Sequence, residues 1–173
     1  INYNTYLGIS EPAERVAMTN ATQYAALRNE ANVNDGGDVV FNDLSVLGQG
    51  TDWQDVIFND SAFRQNHEVN ISGGSEVSNF YFSFGYLEEE GIVATDISNF
   101  ERTNLRLNST HKITPWLTFG ENIGYSRNKS VGIGNTNSEY GGPLSSAINL
   151  DPLTPVVVTD PERLSQFPYN QDL

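Results

Sequence analysis

Residues 79–87 read NFYFSFGYL, a run in which large aromatic side chains alternate with other residues. Because successive side chains of a strand point to opposite sides of a sheet, a period of two predicts a β-strand with one apolar face. The aromatic face carries Phe80, Phe82, Phe84 and Tyr86. Tyr81, Ser83 and Gly85 form the other face. The run therefore predicts a mainly β fold whose sheet is apolar on one side.

The same alternation recurs on both sides of this run. We predict five strands, at residues 1–9, 65–74, 78–87, 100–113 and 116–128. In the last two strands the apolar face carries Leu105, Leu107, Phe119, Ile123 and Tyr125. The opposite face of the fourth strand carries a polar row consisting of Arg102, Asn104, Arg106 and Asn108. Each of the four later strands thus presents one apolar face and one face rich in hydrogen-bonding groups.

The connections between these strands alternate between short and long. Residues 73–78 and 112–115 are short turns, whereas the other connections are long. This alternation is typical of outer-membrane β-barrels, which have short turns on the periplasmic side and long loops on the outer side. By this parity the outer loops are predicted at residues 10–64, 88–99 and 129–173.

The first predicted loop also contains helical signals. Residues 20–33 place Tyr24, Leu27 and Ala31 on one helical face, behind Asn20 as the N-cap. Thr51 is the predicted cap of a second, shorter helical turn that begins at residues 51–55. We therefore predict short helices within the outer loops.

The alternation alone leaves two fold classes open. A half-solvated antiparallel sheet gives the same pattern in a soluble protein, such as a secreted β-sandwich that binds carbohydrate. A transmembrane β-barrel gives the same alternation, because lipid lies outside the barrel and a polar lumen inside it. The polar row suits a wall that faces a water-filled lumen or a polar plug. Glu121, in register with Phe119 and Ile123 on the apolar face, marks either a membrane interface or a β-bulge.

Composition argues against several functional classes. The chain has 173 residues with 22 acidic and 9 basic side chains, a net charge of −13, so a nucleic-acid partner is not expected. It has no cysteine, which excludes thiolate metal sites within it. His67 and His111 are far apart and have no third ligand at metal-binding spacing, and no nucleophile-elbow or phosphate-loop motif occurs. We expect no catalytic residue, no metal and no cofactor.

A series of motifs occurs in a fixed order along the chain. In order they are GTDWQD (50–55), QNH (65–67), ISGGS (71–75), NFYFSFGY (79–86), EGIV (90–93), FERTNLRLN (100–108), WLTFGEN (116–122) and YSR (125–127). A helical segment at 21–28 and the Pro-rich DPLTPV at 151–156 complete the series. Together they resemble the SusC/RagA class of TonB-linked outer-membrane transporters.

That resemblance implies a large antiparallel transmembrane β-barrel of 22 strands with an N-terminal plug, in the outer membrane of a Gram-negative bacterium. It implies import of nutrient oligomers, either glycans or peptides, under a SusD-like surface lipoprotein and with energy from TonB. The chain would be a fragment with the first five barrel strands, without the plug, the part that meets TonB or the remaining strands. Its partners would then be the rest of the same barrel and outer-membrane lipid. The nine apolar-face residues would meet lipid, and the polar row would face the lumen and the plug.

Overall fold

The computed structural model describes residues 1–132 and 141–157. The chain divides into two compact units, the first containing Ile1–Ala13 and Phe58–Gly134 and the second Glu14–Ile57 and Asn135–Leu173. Of the predicted outer loop at 129–173, residues 133–140 and 158–173 lie outside the described part. The strands therefore belong to the first unit, and most of the described loop sequence belongs to the second.

The first unit contains five strands in one antiparallel sheet, in the order β1-β2-β3-β4-β5. The strands are β1 (Asn2–Ser10), β2 (Ala62–Gly74), β3 (Ser78–Glu90), β4 (Asn99–Thr114) and β5 (Leu117–Val131). They occupy the five segments in which the sequence alternates, with some ends extended by up to three residues. The mainly β, antiparallel fold predicted from the alternation is confirmed.

The pairing register places apolar residues of neighbouring strands side by side. Paired residues point to the same side of a sheet, so each row of partners belongs to one face. One such row contains Tyr3, Val69, Phe84, Leu105 and Tyr125, and the next contains Ile71, Phe82, Leu107 and Ile123. A shift by one residue would move each set to the opposite face, so the alternation itself specifies this register.

The register is regular at Glu121, which pairs with Ser109. The irregularity in this strand pair lies between Lys112 and Thr114, next to the turn that connects β4 and β5. The interpretation of Glu121 as a β-bulge is therefore wrong, because the sheet accommodates it as an ordinary strand position.

The first unit has almost no buried apolar interior. Among the described residues the buried apolar side chains are those of four alanines and Pro152, and of these only Ala62 lies in the sheet. A β-sandwich buries the inner faces of two packed sheets, whereas the five strands here form a single sheet. The β-sandwich considered from the sequence therefore has no counterpart in the described residues.

The second unit contains α1 (Ala21–Asn34), α2 (Trp53–Ile57) and α3 (Pro143–Asn149). The predicted N-cap of α1 is present, because the Asn20 side chain accepts from the Gln23 backbone N–H at 2.8 Å and the Gln23 side chain accepts from the Asn20 N–H at 3.1 Å. The sequence did not predict α3, which is short and begins with Pro143 after Gly142. No helix in the described residues is long and apolar enough to cross a membrane.

Two distant segments join within the second unit, and we name this junction the clip (residues 50–53 and 151–154). The Thr51 N–H and hydroxyl donate to the carbonyls of Pro152 and Thr154, both at 2.8 Å. The Trp53 indole N–H donates to the Asp151 carbonyl at 2.9 Å. Gly50 has φ of +73°, and an added Cβ would meet the Ala21 Cβ at 2.6 Å and the Pro152 carbonyl oxygen. The clip therefore requires glycine at position 50.

Candidate functional site: the two faces of the sheet

The structure places all nine predicted lipid-facing residues on one side of the sheet, which we name the apolar face. They are Phe80, Phe82, Phe84, Tyr86, Leu105, Leu107, Phe119, Ile123 and Tyr125. On β5 these side chains are largely uncovered, with exposed fractions of 52% for Phe119, 50% for Ile123 and 56% for Tyr125. A contiguous uncovered apolar surface marks an interaction surface rather than a solvated one.

A hydrogen-bonded chain of polar side chains lies at the short-turn end of the apolar face, and we name it the His111 relay. The Ser109 hydroxyl donates to Glu121 Oε1 at 2.9 Å and lies 2.9 Å from His111 Nε2, and the Ser78 hydroxyl lies 2.7 Å from His111 Nδ1. Because Ser109 has only one proton and the carboxylate takes it, Nε2 carries the imidazole proton and donates to Ser109. Through Nδ1 the His111 ring also contacts Ser78, so one continuous chain of hydrogen bonds joins Ser78 to Glu121.

A second relay lies at the opposite end of the apolar face, around His67. His67 Nδ1 is 2.7 Å from the Tyr3 hydroxyl, and Nε2 is 2.9 Å from the Gln65 side-chain oxygen. The Gln65 amide then donates to Glu88 Oε2 at 2.7 Å, and the Tyr86 hydroxyl donates to the same oxygen at 3.0 Å. Both histidines of the chain therefore lie on the apolar face, and each is linked to a glutamate.

The opposite side of the sheet, which we name the polar face, carries the whole polar row on β4. The register places Arg102, Asn104, Arg106 and Asn108 there, opposite small residues of β5 that include Gly124. The side chains of Arg102, Asn104 and Arg106 are exposed, and Asn108 is half-buried with its side-chain oxygen unpartnered in the described residues. Within residues 1–132 and 141–157, no salt bridge involves Arg102 or Arg106. The polar row thus offers two guanidinium groups and an unused amide oxygen.

Two other charged side chains on the polar face, Arg64 and Glu68, already have partners. Arg64 forms an ion pair with Glu89 at 2.5 Å and lies over the Tyr6 ring at 5.5 Å. Glu68 accepts from Asn70, which in turn accepts from the Tyr81 hydroxyl at 2.7 Å. In the described residues Arg102 and Arg106 of the polar row have no ion pair, so their guanidinium groups are available to bind a partner.

Sequence reasoning found the two faces but missed the two relays. Each relay depends on which residue lies across from which on a neighbouring strand, and the alternation within one strand carries no such information. The described residues contain no group of three or more His, Cys, Asp or Glu side chains that could hold a metal ion.

The fold matches that of a known transporter. The chain aligns with a solved structure described as the RagAB peptide transporter, with a TM-score of 0.59 over 82% of this chain and 19% of the other. At 20% sequence identity this likeness concerns the fold alone.

Curated relatives share the sequence itself. TonB-dependent receptor SusC of Bacteroides thetaiotaomicron is 30% identical over 157 residues, which cover 90% of this chain and 14% of that receptor. TonB-dependent receptor P26 of Formosa agariphila is 30% identical over 78% of this chain, and receptor P3 of the same organism is 33% identical over 59%. The chain spans 10–14% of the length of these relatives.

No family model matches the chain. The curated relatives identify the class as that of the TonB-dependent receptors. Within that class the chain is SusC-like, and the resemblance drawn from its motifs is confirmed.

Proposed function

We propose that this chain is one section of the wall of a TonB-dependent importer in the outer membrane of a Gram-negative bacterium. The observation that carries the proposal is the uncovered apolar face, backed by a polar face with unpaired arginines. A sheet with these two faces is stable where lipid covers one side and water or a polar plug covers the other. The two edge strands would pair with further strands, closing a plugged 22-stranded barrel like that implied by the resemblance.

The cargo would be nutrient oligomers, either glycans or peptides. Support comes from the SusC-like sequence and from the fold shared with a structure described as a peptide transporter. By the same likeness the importer works with a SusD-like surface lipoprotein and takes energy from TonB. The chain's part in this activity breaks no covalent bond. Its residues form the barrel wall and contact the plug and the lipid, and none of them acts as a catalyst.

The polar row supplies the contact with the plug. Arg102 and Arg106 are exposed and without an ion pair in the described sheet, so carboxylates of the plug can pair with them through two parallel hydrogen bonds. Asn108 adds an unpartnered side-chain oxygen on the same strand, nearer to the turn that connects β4 and β5. The nine apolar-face residues then meet lipid on the other side.

The test of this proposal is purification of the native polypeptide from detergent-extracted membranes, followed by its intact mass and by an uptake assay. We expect a mass several times that of these 173 residues, and uptake of an oligomer that stops when TonB is removed. A native mass equal to that of this chain, with solubility in the absence of detergent, would show instead a small independent β-domain.

A further inference from the structure

Glu121 places a carboxylate among the large apolar side chains of β5 on the apolar face. It lies on the apolar face between Phe119 and Ile123, which are both about half exposed. A charged side chain on the lipid side of a barrel strand is costly at the bilayer midplane and nearly free at the interface. The position of Glu121 along the strand therefore decides whether its charge is tolerated.

That position is one end of a membrane-crossing length of strand. On β3, Phe80 lies in the row of Glu121 and Ser78 in the row of His111, while Tyr86 pairs with His67, the centre of the other relay. A transmembrane β-strand has about 9–11 residues, and Ser78–Tyr86 is a stretch of that length. Trp116, 83% exposed, lies in the adjacent turn, where aromatic residues gather at membrane interfaces. The His111 relay thus lies at the level of lipid headgroups.

The relay holds one oxygen of the Glu121 carboxyl group and leaves the other oxygen free. Its hydrogen bonds link Ser78, His111 and Ser109 to Glu121 in one continuous chain, and bonds linked in this way polarise one another. Ser109 is 7% exposed, so this donor is fixed in place. In the described residues, only Oε1 of Glu121 has a hydrogen-bond partner, which leaves Oε2 for a ligand.

We propose that Glu121 and its relay bind the primary ammonium of an ethanolamine phospholipid headgroup at the short-turn end of the apolar face. The inference rests on the membrane placement in the proposed function. A single carboxylate matches one monovalent ammonium, which donates N–H bonds to Oε2. A divalent cation would require six or more oxygen ligands, and the described residues offer no acidic cluster here. Ser109 and His111 are positioning residues that fix the carboxylate.

The experiment uses the native protein purified from its membrane and reconstituted into two kinds of vesicle. One contains phosphatidylethanolamine and phosphatidylglycerol, and the other replaces the ethanolamine lipid with phosphatidylcholine, whose trimethylammonium has no N–H to donate. Lipid retained after detergent extraction is counted by native mass spectrometry. We expect phosphatidylethanolamine to be retained about tenfold better than phosphatidylcholine, which corresponds to one charge-assisted hydrogen bond.

Two variants locate the retained lipid. Glu121→Gln keeps the shape and removes the charge, so the preference for the ethanolamine lipid is lost, and Ser109→Ala weakens it by releasing the carboxylate from the relay. Glu76→Gln, in the exposed turn between β2 and β3, is the matched control and leaves the preference unchanged. Equal retention of the two lipids by the wild-type protein, or a preference that survives Glu121→Gln, would overturn the proposal.

Failure of this inference is distinguishable from failure of the proposed function. Insertion into either vesicle, measured by co-flotation, tests the membrane placement alone. A protein that inserts but shows no headgroup preference refutes the Glu121 site and leaves the importer proposal intact. A protein that does not insert at all refutes both.

Discussion

The proposed contact with the plug depends on the guanidinium groups of Arg102 and Arg106. Both are exposed on the polar face, while Arg64 on the same face is already paired with Glu89. An arginine without a partner in a wall that faces a lumen has the geometry to hold a carboxylate through two hydrogen bonds. The difference between paired and unpaired arginines singles out the polar row.

Reversing the charge of Arg106 tests that role. Arg106→Glu replaces attraction to a plug carboxylate with repulsion, so we expect TonB-dependent uptake to fall by about tenfold, a change of roughly 1.4 kcal/mol. Arg106→Lys, which keeps the charge and loses the paired geometry, is the matched control and gives a smaller loss. Unchanged uptake in Arg106→Glu, with the plug still retained in the purified protein, would contradict the assignment.

Gly50 is the residue that closes the clip in the second unit. Gly50→Ala introduces a methyl group against Ala21 and the Pro152 carbonyl at a positive φ, so we expect the clip to weaken by about 2 kcal/mol. The measurement is hydrogen exchange of the Thr51 amide, which donates to Pro152 and should exchange roughly thirtyfold faster.

The control for this change is Gly48→Ala. Gly48 also has a positive φ, +61°, but no atom lies within 4 Å of an added Cβ. Gly48→Ala therefore has the free-energy cost of a positive φ but no steric clash, and we expect a clearly smaller increase in the exchange rate of the Thr51 amide. Equal exchange rates in the two variants would show that the contacts with Ala21 and Pro152 do not matter.

The strands are the elements that the sequence predicts best, because a period of two is visible within each one. All five were predicted, as was α1 from its N-cap Asn20 and its helical spacing. The clip and the relays were not predictable, because they join residues such as Thr51 and Thr154, or Ser109 and Glu121, through hydrogen bonds between separate segments. The periodicity within one segment carries no information about such contacts with another segment. The helix α3 was missed because it is too short to show a period.

A pair of arginine substitutions on β4 tests the difference between the two faces. Leu107→Arg places a charge on the apolar face near the middle of the crossing length, which costs about 2–4 kcal/mol if that face meets lipid. We expect a marked decrease in folded protein recovered from the outer membrane. Asn104→Arg, on the polar face of the same strand, is the matched control and leaves recovery unchanged. Similar recovery of the two variants would argue against lipid on the apolar face.

At the scale of the whole molecule, the dominant feature of the described residues is that they bury almost no apolar side chains. The described sheet buries one alanine, and many of its large apolar side chains are exposed, among them Phe80, Phe119 and Tyr125. The alternation within each strand indicates the two faces but not what covers them. In the proposed importer, lipid covers one face and a polar lumen borders the other, and the similarity to the TonB-dependent receptors supports this proposal.

The measurement that tests this account most directly is the accessibility of spin labels at neighbouring positions of the native protein in its membrane. Labels are attached at single introduced cysteines, which this chain otherwise lacks. The pairs are Phe82 with Ser83, Leu105 with Asn104, and Ile123 with Asn122. We predict that labels at Phe82, Leu105 and Ile123 are relaxed by oxygen dissolved in lipid. Labels at Ser83, Asn104 and Asn122 should be relaxed by a water-soluble nickel chelate. Equal access of the nickel chelate to all six positions would contradict the account.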